Sequence, residues 1–501
     1  MNYIFIYNNQ AIPITTIPVL DYQAFFSLNT NMITDHPERH CVNYFAYPLG
    51  GNLKLICCIA DDSTHEICIS ACIVDIAATL ISFTAVHFCF EKFEREIHEN
   101  FGINYLDHPW LKPVRYSFNR HKKADIVANY PFFEIDSEEL HEVGVGPIHA
   151  GVIEPGHFRF LCNGEQILHL EIQLGYQHRG IEALFLNKKK LLQRVTLAES
   201  IAGDTVVGHS TAFSMLWECL CGFQPTREIE FSRTVALELE RIAIHTGDLS
   251  ALCADIAYQL GASVFGRLRT PIINFMQEWC GNRLSKGMIR PGRDKFPLTK
   301  DLALRLIEVL NVFEVDFDEM IEELFSLPSA LSRFERTGVL TNENILSIGT
   351  VGMSARMCGL NRDIRKSHPN ALYHELAHEP IIKNHGDVYS RVQIRKQEVG
   401  QSITYIRTLL QEIPDDDTMH HSVPLNDPKP DTFVLSLVEG WRGEICHCAI
   451  TDSKGELILY KVKDPSFHNW LALALAVRNN EISDFPVNNK SFNLSYCGHD
   501  L

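Results

Sequence analysis

The chain has 501 residues, enough for two to four domains with ample buried apolar surface. Hydrophobic residues make up 46% and charged residues 21%, the balance of a folded globular protein and not of a disordered one. A formal charge of -17 argues against a sequence-independent nucleic-acid binder and suits a basic partner.

The first ten residues carry neither a basic n-region nor a small-residue cleavage site, so secretion is not expected. The fifteen cysteines then read as reduced thiols of the cytoplasm. Short apolar runs separated by turn residues predict a small α+β domain up to about residue 120. Residues 67–90 are the most membrane-like run, but Asp75 and His87 interrupt it. Its Ile, Val and Thr content predicts buried strands, so contact with a membrane is expected through partners only. A charged helix follows over residues 90–101, stopped by Gly102. A hairpin is predicted from His157 to Leu174 with Asn163-Gly164 as its turn. Helical spacing of apolar residues covers 181–202, 209–221, 233–260 and 298–325, and strands return at 432–438 and 457–462. The fold class is α+β: a domain over 1–125, a linker over 126–143, and a mainly helical domain with peripheral strands over 144–501.

Several motifs carry a resemblance. Phe93-Glu-Arg-Glu-Ile-His-Glu-Asn-Phe-Gly-Ile103 with His108-Pro-Trp-Leu-Lys112 is followed by the Gly- and His-rich stretch of residues 141–160. Seven blocks come next: Gly175-Tyr-Gln-His-Arg-Gly-Ile-Glu182, Leu237-Glu-Leu-Glu-Arg-Ile242, Gly247-Asp-Leu249, Gly359-Leu-Asn-Arg-Asp-Ile-Arg365, Gly386-Asp-Val-Tyr-Ser-Arg391, Glu439-Gly-Trp-Arg-Gly-Glu444 and Asp464-Pro-Ser-Phe-His-Asn-Trp470. In this order they resemble the large subunit of membrane-bound [NiFe] hydrogenases of the formate-hydrogenlyase type and its relative, the 49-kDa subunit of respiratory complex I. The N-terminal part resembles complex I's 30-kDa subunit, fused ahead. Among subgroups, the loop Glu199-Ser-Ile-Ala-Gly-Asp204 is similar to that of the energy-converting hydrogenase-related proteins.

The resemblance implies four thiolate ligands in two Cys-x-x-Cys pairs, and the sequence departs from it there. The first pair falls on Ala202 and Thr205, the second on Ser495 and Gly498, and no two cysteines have that spacing anywhere. A nickel–iron centre is therefore not expected, and no metal ligands are assigned. The sequence ends three residues past Gly498, so no cleaved extension of the hydrogenase kind is expected either. Complex I's quinone-binding His is replaced by Pro155 and its Tyr is missing between Leu191 and His209, although His157 and His209 lie near enough to substitute.

A set of ionisable residues remains, each with two readings. Glu154 aligns with the hydrogenase proton-carrying glutamate, or is a turn carboxylate capping amides. His149 lines the same loop, or is a hydrogen-bonded loop histidine. His178 and Arg179 lie near a partner's cluster, or form a surface ion pair. Asp204 and His209 form a proton relay in the vacated loop, or fill its volume. Arg442 overhangs the metal position and holds an anion or pairs with Asp204. His374-Glu-Leu-Ala-His378 has zinc-peptidase spacing, but Pro380 follows too closely and a third ligand is undefined, so a surface loop is expected. No nucleotide-binding loop is present.

The resulting expectation is an electron-transfer subunit on the cytoplasmic face of the inner membrane, peripheral to it. It would bind no cofactor itself, and would place a metal-free cavity beside the iron–sulfur cluster of a partner. Quinone or another small acceptor would be reduced there with coupled proton movement. Antiporter-like membrane subunits complete the expected assembly. The rival is a non-catalytic scaffold that has lost its active site.

Overall fold

The computed structural model describes residues 2–149, 153–413 and 424–501; part of the 141–160 stretch, Ala150 to Val152, therefore lies outside the described residues. The long strands Arg39–Leu49, Asn52–Asp61 and Glu66–Asp75 pair antiparallel, so the membrane-like run begins as a sheet strand. Among the described residues no helix is long and apolar enough to cross a membrane. Glu91–Phe101 forms the charged helix, and Gly102 ends it at φ 79° with its N–H donating to the His98 carbonyl.

A second sheet runs Leu457–Lys463, Gly443–Thr451, Thr432–Gly440 and then Ile12–Pro13, so a short N-terminal strand completes the C-terminal sheet. The two sheets share one apolar core, with Phe45, Ile56 and Ile69 facing Phe433, Leu435 and Ile450. Burying such side chains stabilises by about 1.5–3 kcal/mol each, so the N-terminal unit is held firmly against the rest.

The hairpin pairs His157–Asn163 with Gln166–Gln173. Its loop falls on Gly164-Glu165, one residue later than predicted. Gly164 supplies φ 57° at the first central position, which type II′ turns reserve for glycine. The 181–202 segment is two helices, Ile181–Asn187 and Leu191–Ala198, separated where three lysines interrupt the apolar spacing. Arg227–Asp255 and Lys300–Ser326 match their predicted helices, while Gln259–Cys280 and Val388–Leu410 were not singled out in the sequence.

The helical core encloses a sealed charge network. Glu398 accepts from His245, Arg356 and Arg365, and Arg365 also binds Asp363. Arg241 donates to the carbonyls of Glu439 and Gly440, which fixes the two-residue turn Trp441-Arg442 between its strands. Gly443 and Gly352 permit this turn to sit against the backbone, since a Cβ on Gly443 would lie 2.7 Å from the Gly352 Cα. The expected surface loop around residues 374–378 is corrected: Tyr373 is fully buried and bonds Glu238, and His378 is buried between Asp363 and Tyr405. His374 is exposed, and only a short 3-10 helix, Ala371–Glu375, forms here, so the two histidines do not share an α-helical face.

Candidate functional site

The turn Trp441-Arg442 delivers its guanidinium to the first vacated corner, residues 202–205. Arg442 clamps both carboxylate oxygens of Asp204 at 2.7 and 2.6 Å and reaches Thr205 Oγ1 at 3.1 Å. Trp441 Nε1 binds the Asp204 carbonyl at 2.8 Å, and the guanidinium stacks on the indole at 4.0 Å. Arg442 Nε also donates to the Asn493 carbonyl, in the segment that leads to the second corner. Of the two readings of Arg442, pairing with Asp204 is what the geometry shows.

At the second corner Ser495 Oγ accepts the Gly498 N–H at 2.9 Å, capping the short terminal helix Tyr496–Asp500. Arg179 ties the corners together. It donates to the carbonyls of Ser200 and Ile201 on one side and Cys497 on the other. These positions do not fit a nickel–iron centre. Ala202 and Gly498 have no donor, Thr205 is engaged by Arg442, and Ser495 is engaged as a cap. Burial pushes the Cys497 thiol up to about 12, and one thiol cannot supply the four sulfur ligands such a centre needs.

His209 does not pair with Asp204. It sits in the helix Val206–Leu220, fully buried, with Nε2 3.0 Å from Asp464 Oδ2 and Nδ1 3.1 Å from His447 Nε2. His447 Nδ1 in turn meets the Tyr460 hydroxyl at 2.8 Å. Burial pushes the Asp464 carboxyl up, but its hydrogen bond to His209 and the nearby Arg442 outweigh this and keep it below its ordinary value. Burial, reinforced by His209, holds His447 well below the usual imidazole range and so neutral. With both imidazoles neutral, hydrogen-bond logic assigns one direction: Tyr460 donates to His447, His447 to His209, and His209 to the Asp464 carboxylate. A proton entering at the Tyr460 end would reverse all three hydrogen bonds and leave one proton on Asp464, beside the vacated corner. A Cβ on Gly498 would lie 2.7 Å from the Asp464 carboxyl carbon, which places this end against the second corner.

Glu154 is half-buried and lies beside this corner, accepting the Cys497 N–H at 3.4 Å, a long bond that leaves the carboxylate available. His149 is held by the Gly156 carbonyl at 2.8 Å. His157 binds the Gly146 carbonyl and packs on Phe132, on the strand face opposite Phe158, away from the corners. His178 Nδ1 binds the Asp500 carbonyl, and the ring meets Phe118 edge-on. His178 and Arg179 line a 420 Å³ cleft between the charged helix and the helix Ile181–Asn187.

Sequence reasoning missed several groups. Asp464 lay in a quoted block with no role assigned, and His447 and Tyr460 come from neighbouring strands. Burial pushes Asp500 up to about 7 although Gln177 and Gly175 amides oppose it, and pushes Glu240 up to about 8 although Val207 and Gly208 amides oppose it. The Tyr496 ring sits against Gly156 in the hairpin entry. Its buried hydroxyl makes no well-formed hydrogen bond among the described residues, Asn489 being the amide that approaches it. Alignment to a Tyr elsewhere in complex I directed attention away from it.

Residues 256–433 match the family of the respiratory-chain NADH dehydrogenase 49 Kd subunit. The carbon monoxide-induced hydrogenase of Rhodospirillum rubrum is 30% identical over 348 residues, 69% of this chain and 95% of that protein. Hydrogenase-4 component G of Escherichia coli is 26% identical over 358 residues, 72% of this chain, and the match spans only 61% of that longer protein. An NADH-quinone oxidoreductase subunit of Dehalococcoides mccartyi is 27% identical over 343 residues, 68% of this chain and 93% of that protein. With its blocks in order and its ligand cysteines replaced, the chain belongs to the superfamily of the complex I 49-kDa subunit and the large subunits of membrane-bound [NiFe] hydrogenases.

Proposed function

We propose that the chain is an electron-transfer subunit of a complex I-like, hydrogenase-related assembly at the cytoplasmic face of the inner membrane. Electrons from a partner's iron–sulfur cluster reduce a small acceptor, quinone being the leading candidate, without a metal held by this chain. The observation that carries the reading is the buried chain Tyr460–His447–His209–Asp464, which ends where the ligands are missing. The 420 Å³ cleft lined by His178, Arg179 and Leu501 has the size of a small-molecule site. There His178 donates its Nδ1–H to the Asp500 carbonyl, which leaves Nε2 as an acceptor for a hydroxyl such as that of the reduced acceptor. Glu154, beside Cys497, passes protons between solvent and the corner. Apolar Ile148 and Ile153 flank the Glu154 segment and are exposed, as is Phe118 at the cleft, and the cluster-bearing subunit would cover them. Antiporter-like membrane subunits would carry the coupled ion movement.

The test uses the purified complex with Glu154→Gln and Asp464→Asn. Electron transfer from the reduced complex to a soluble quinone is expected to fall about tenfold or more in each, with assembly intact. One observation favours the scaffold reading: Asp204, the most obvious relay candidate, is locked by Arg442. Unchanged electron transfer and ion uptake in both assembled variants would establish that reading instead.

A further inference from the structure

A second pocket lies between the charged helix Glu91–Phe101 and the hairpin strand Gln166–Gln173 with the helix Ser466–Ala476. It encloses about 70 Å³, room for a small organic molecule and not for a nucleotide. Its walls are apolar, from Phe88, Leu170, Leu174, Ala474 and the faces of Trp110 and Trp470. The acids that line it are already paired, Glu91 to Arg95 and Glu171 to Lys112 and the Phe133 amide.

Two donors remain. Lys92 Nζ has no hydrogen bond or ion pair among the described residues and sits over the Phe467 ring, 5.7 Å from its centre. His169 Nδ1 faces an Arg478 N–H at 3.4 Å, and because arginine only donates, Nδ1 is the acceptor and Nε2 carries the proton. That Nε2 is buried with no partner among the described residues. A half-buried, unpaired ammonium and a buried, unpaired N–H at an apolar pocket are stabilised when something accepts from them.

We propose that this pocket binds a small organic carboxylate, with its oxygens accepting from Lys92 and His169 and its short apolar body against Leu170, Leu174 and Ala474. Surrounding charges favour an anion, with Lys92, Arg95 and Arg478 set against Glu91 and Glu171. The occupant would bridge the N-terminal unit and the rest of the chain. It would also touch Trp470, whose Nε1 binds the Ser495 carbonyl of the second corner at 3.3 Å.

Burial holds the Lys92 ammonium down at about 7. Glu91 and Arg95 on its own helix face it, as do Arg115 and Asp500 from packed segments. His499 faces the same pocket. A bound carboxylate favours the charged amine, so binding at pH 7.5 takes up a proton.

Equilibrium dialysis of the full chain with labelled acetate, propionate and butyrate tests this, with inorganic phosphate as competitor. One saturable carboxylate site per chain is expected, displaced weakly by phosphate, with a heat of binding that depends on the buffer's ionisation enthalpy. Lys92→Met should weaken binding about tenfold or more, the loss of one charge-assisted hydrogen bond. Ala474→Leu, which fills the pocket without touching a charge, should weaken it as well and carries the test if Lys92→Met does not fold. No saturable binding to folded wild type, equal competition by phosphate, or full binding in folded variants would overturn the assignment.

Discussion

At the first vacated corner, around Asp204, a charge closes on a charge; at the second, around Ser495, a hydroxyl closes on a backbone amide. The first has its closing group delivered from a distant hairpin turn, the second supplies its own. Each keeps one buried acid whose proton is held by burial, Glu240 at about 8 and Asp500 at about 7. The difference teaches that a metal cage can be lost without one common replacement. Each segment settles on the short-range contact its geometry allows, while the surrounding shell continues to hold protons.

The comparison can be broken most forcefully through pH. Glu240 has its folded-state pKa raised above the unfolded value, so the folded chain holds a proton that the unfolded chain has released. The stability linked to that proton is present below about 4.5 and is lost as pH rises to about 8. Relative to Glu240→Gln, wild type should therefore lose about 1.4 kcal/mol per pH unit across that window, measured by denaturant unfolding. A difference that stays flat with pH would show that Glu240 is ionised.

Removing the charge closure comes next. Arg442→Ala strands Asp204 and frees the Asn493 carbonyl, and should cost about 3 kcal/mol. That is the low end for a broken buried pair, because Asp204 is 36% exposed. Thermal unfolding checks it, and a loss comparable to that at the second corner would erase the contrast. Gly498→Ala should cost about 2 kcal/mol by overpacking, since the new methyl meets the Asp464 carboxyl at 2.7 Å. Pairing it with Asp464→Ala should recover much of the loss. Ser495→Ala removes only a cap and should cost about 1 kcal/mol.

The sequence made local features legible where local physics decides them. The Glu91–Phe101 helix is periodic and glycine-stopped, and the hairpin has its turn glycine, misplaced by one residue because Asn163-Gly164 is itself a favoured turn pair. The two corners were located by alignment of blocks, and Arg442 was correctly offered to Asp204. The chain from Tyr460 to Asp464 was not legible. His209 and His447 are 238 positions apart, and no spacing announces a contact made by folding a helix onto a sheet. The buried Tyr373 and His378 were misread for the opposite reason: a Pro-interrupted, weakly periodic stretch looks like a loop, although the charge network behind it needs those side chains.

The central claim is that this chain keeps the family fold while an arginine–aspartate pair and a backbone cap close the corners where the ligand cysteines are replaced. The most direct measurement is the nickel and iron content of this chain separated from the native complex, by mass spectrometry under non-denaturing conditions. The account predicts the mass of the polypeptide with no nickel and iron bound. A species heavier by one nickel and one iron per chain, lost on substituting Cys497, would contradict it.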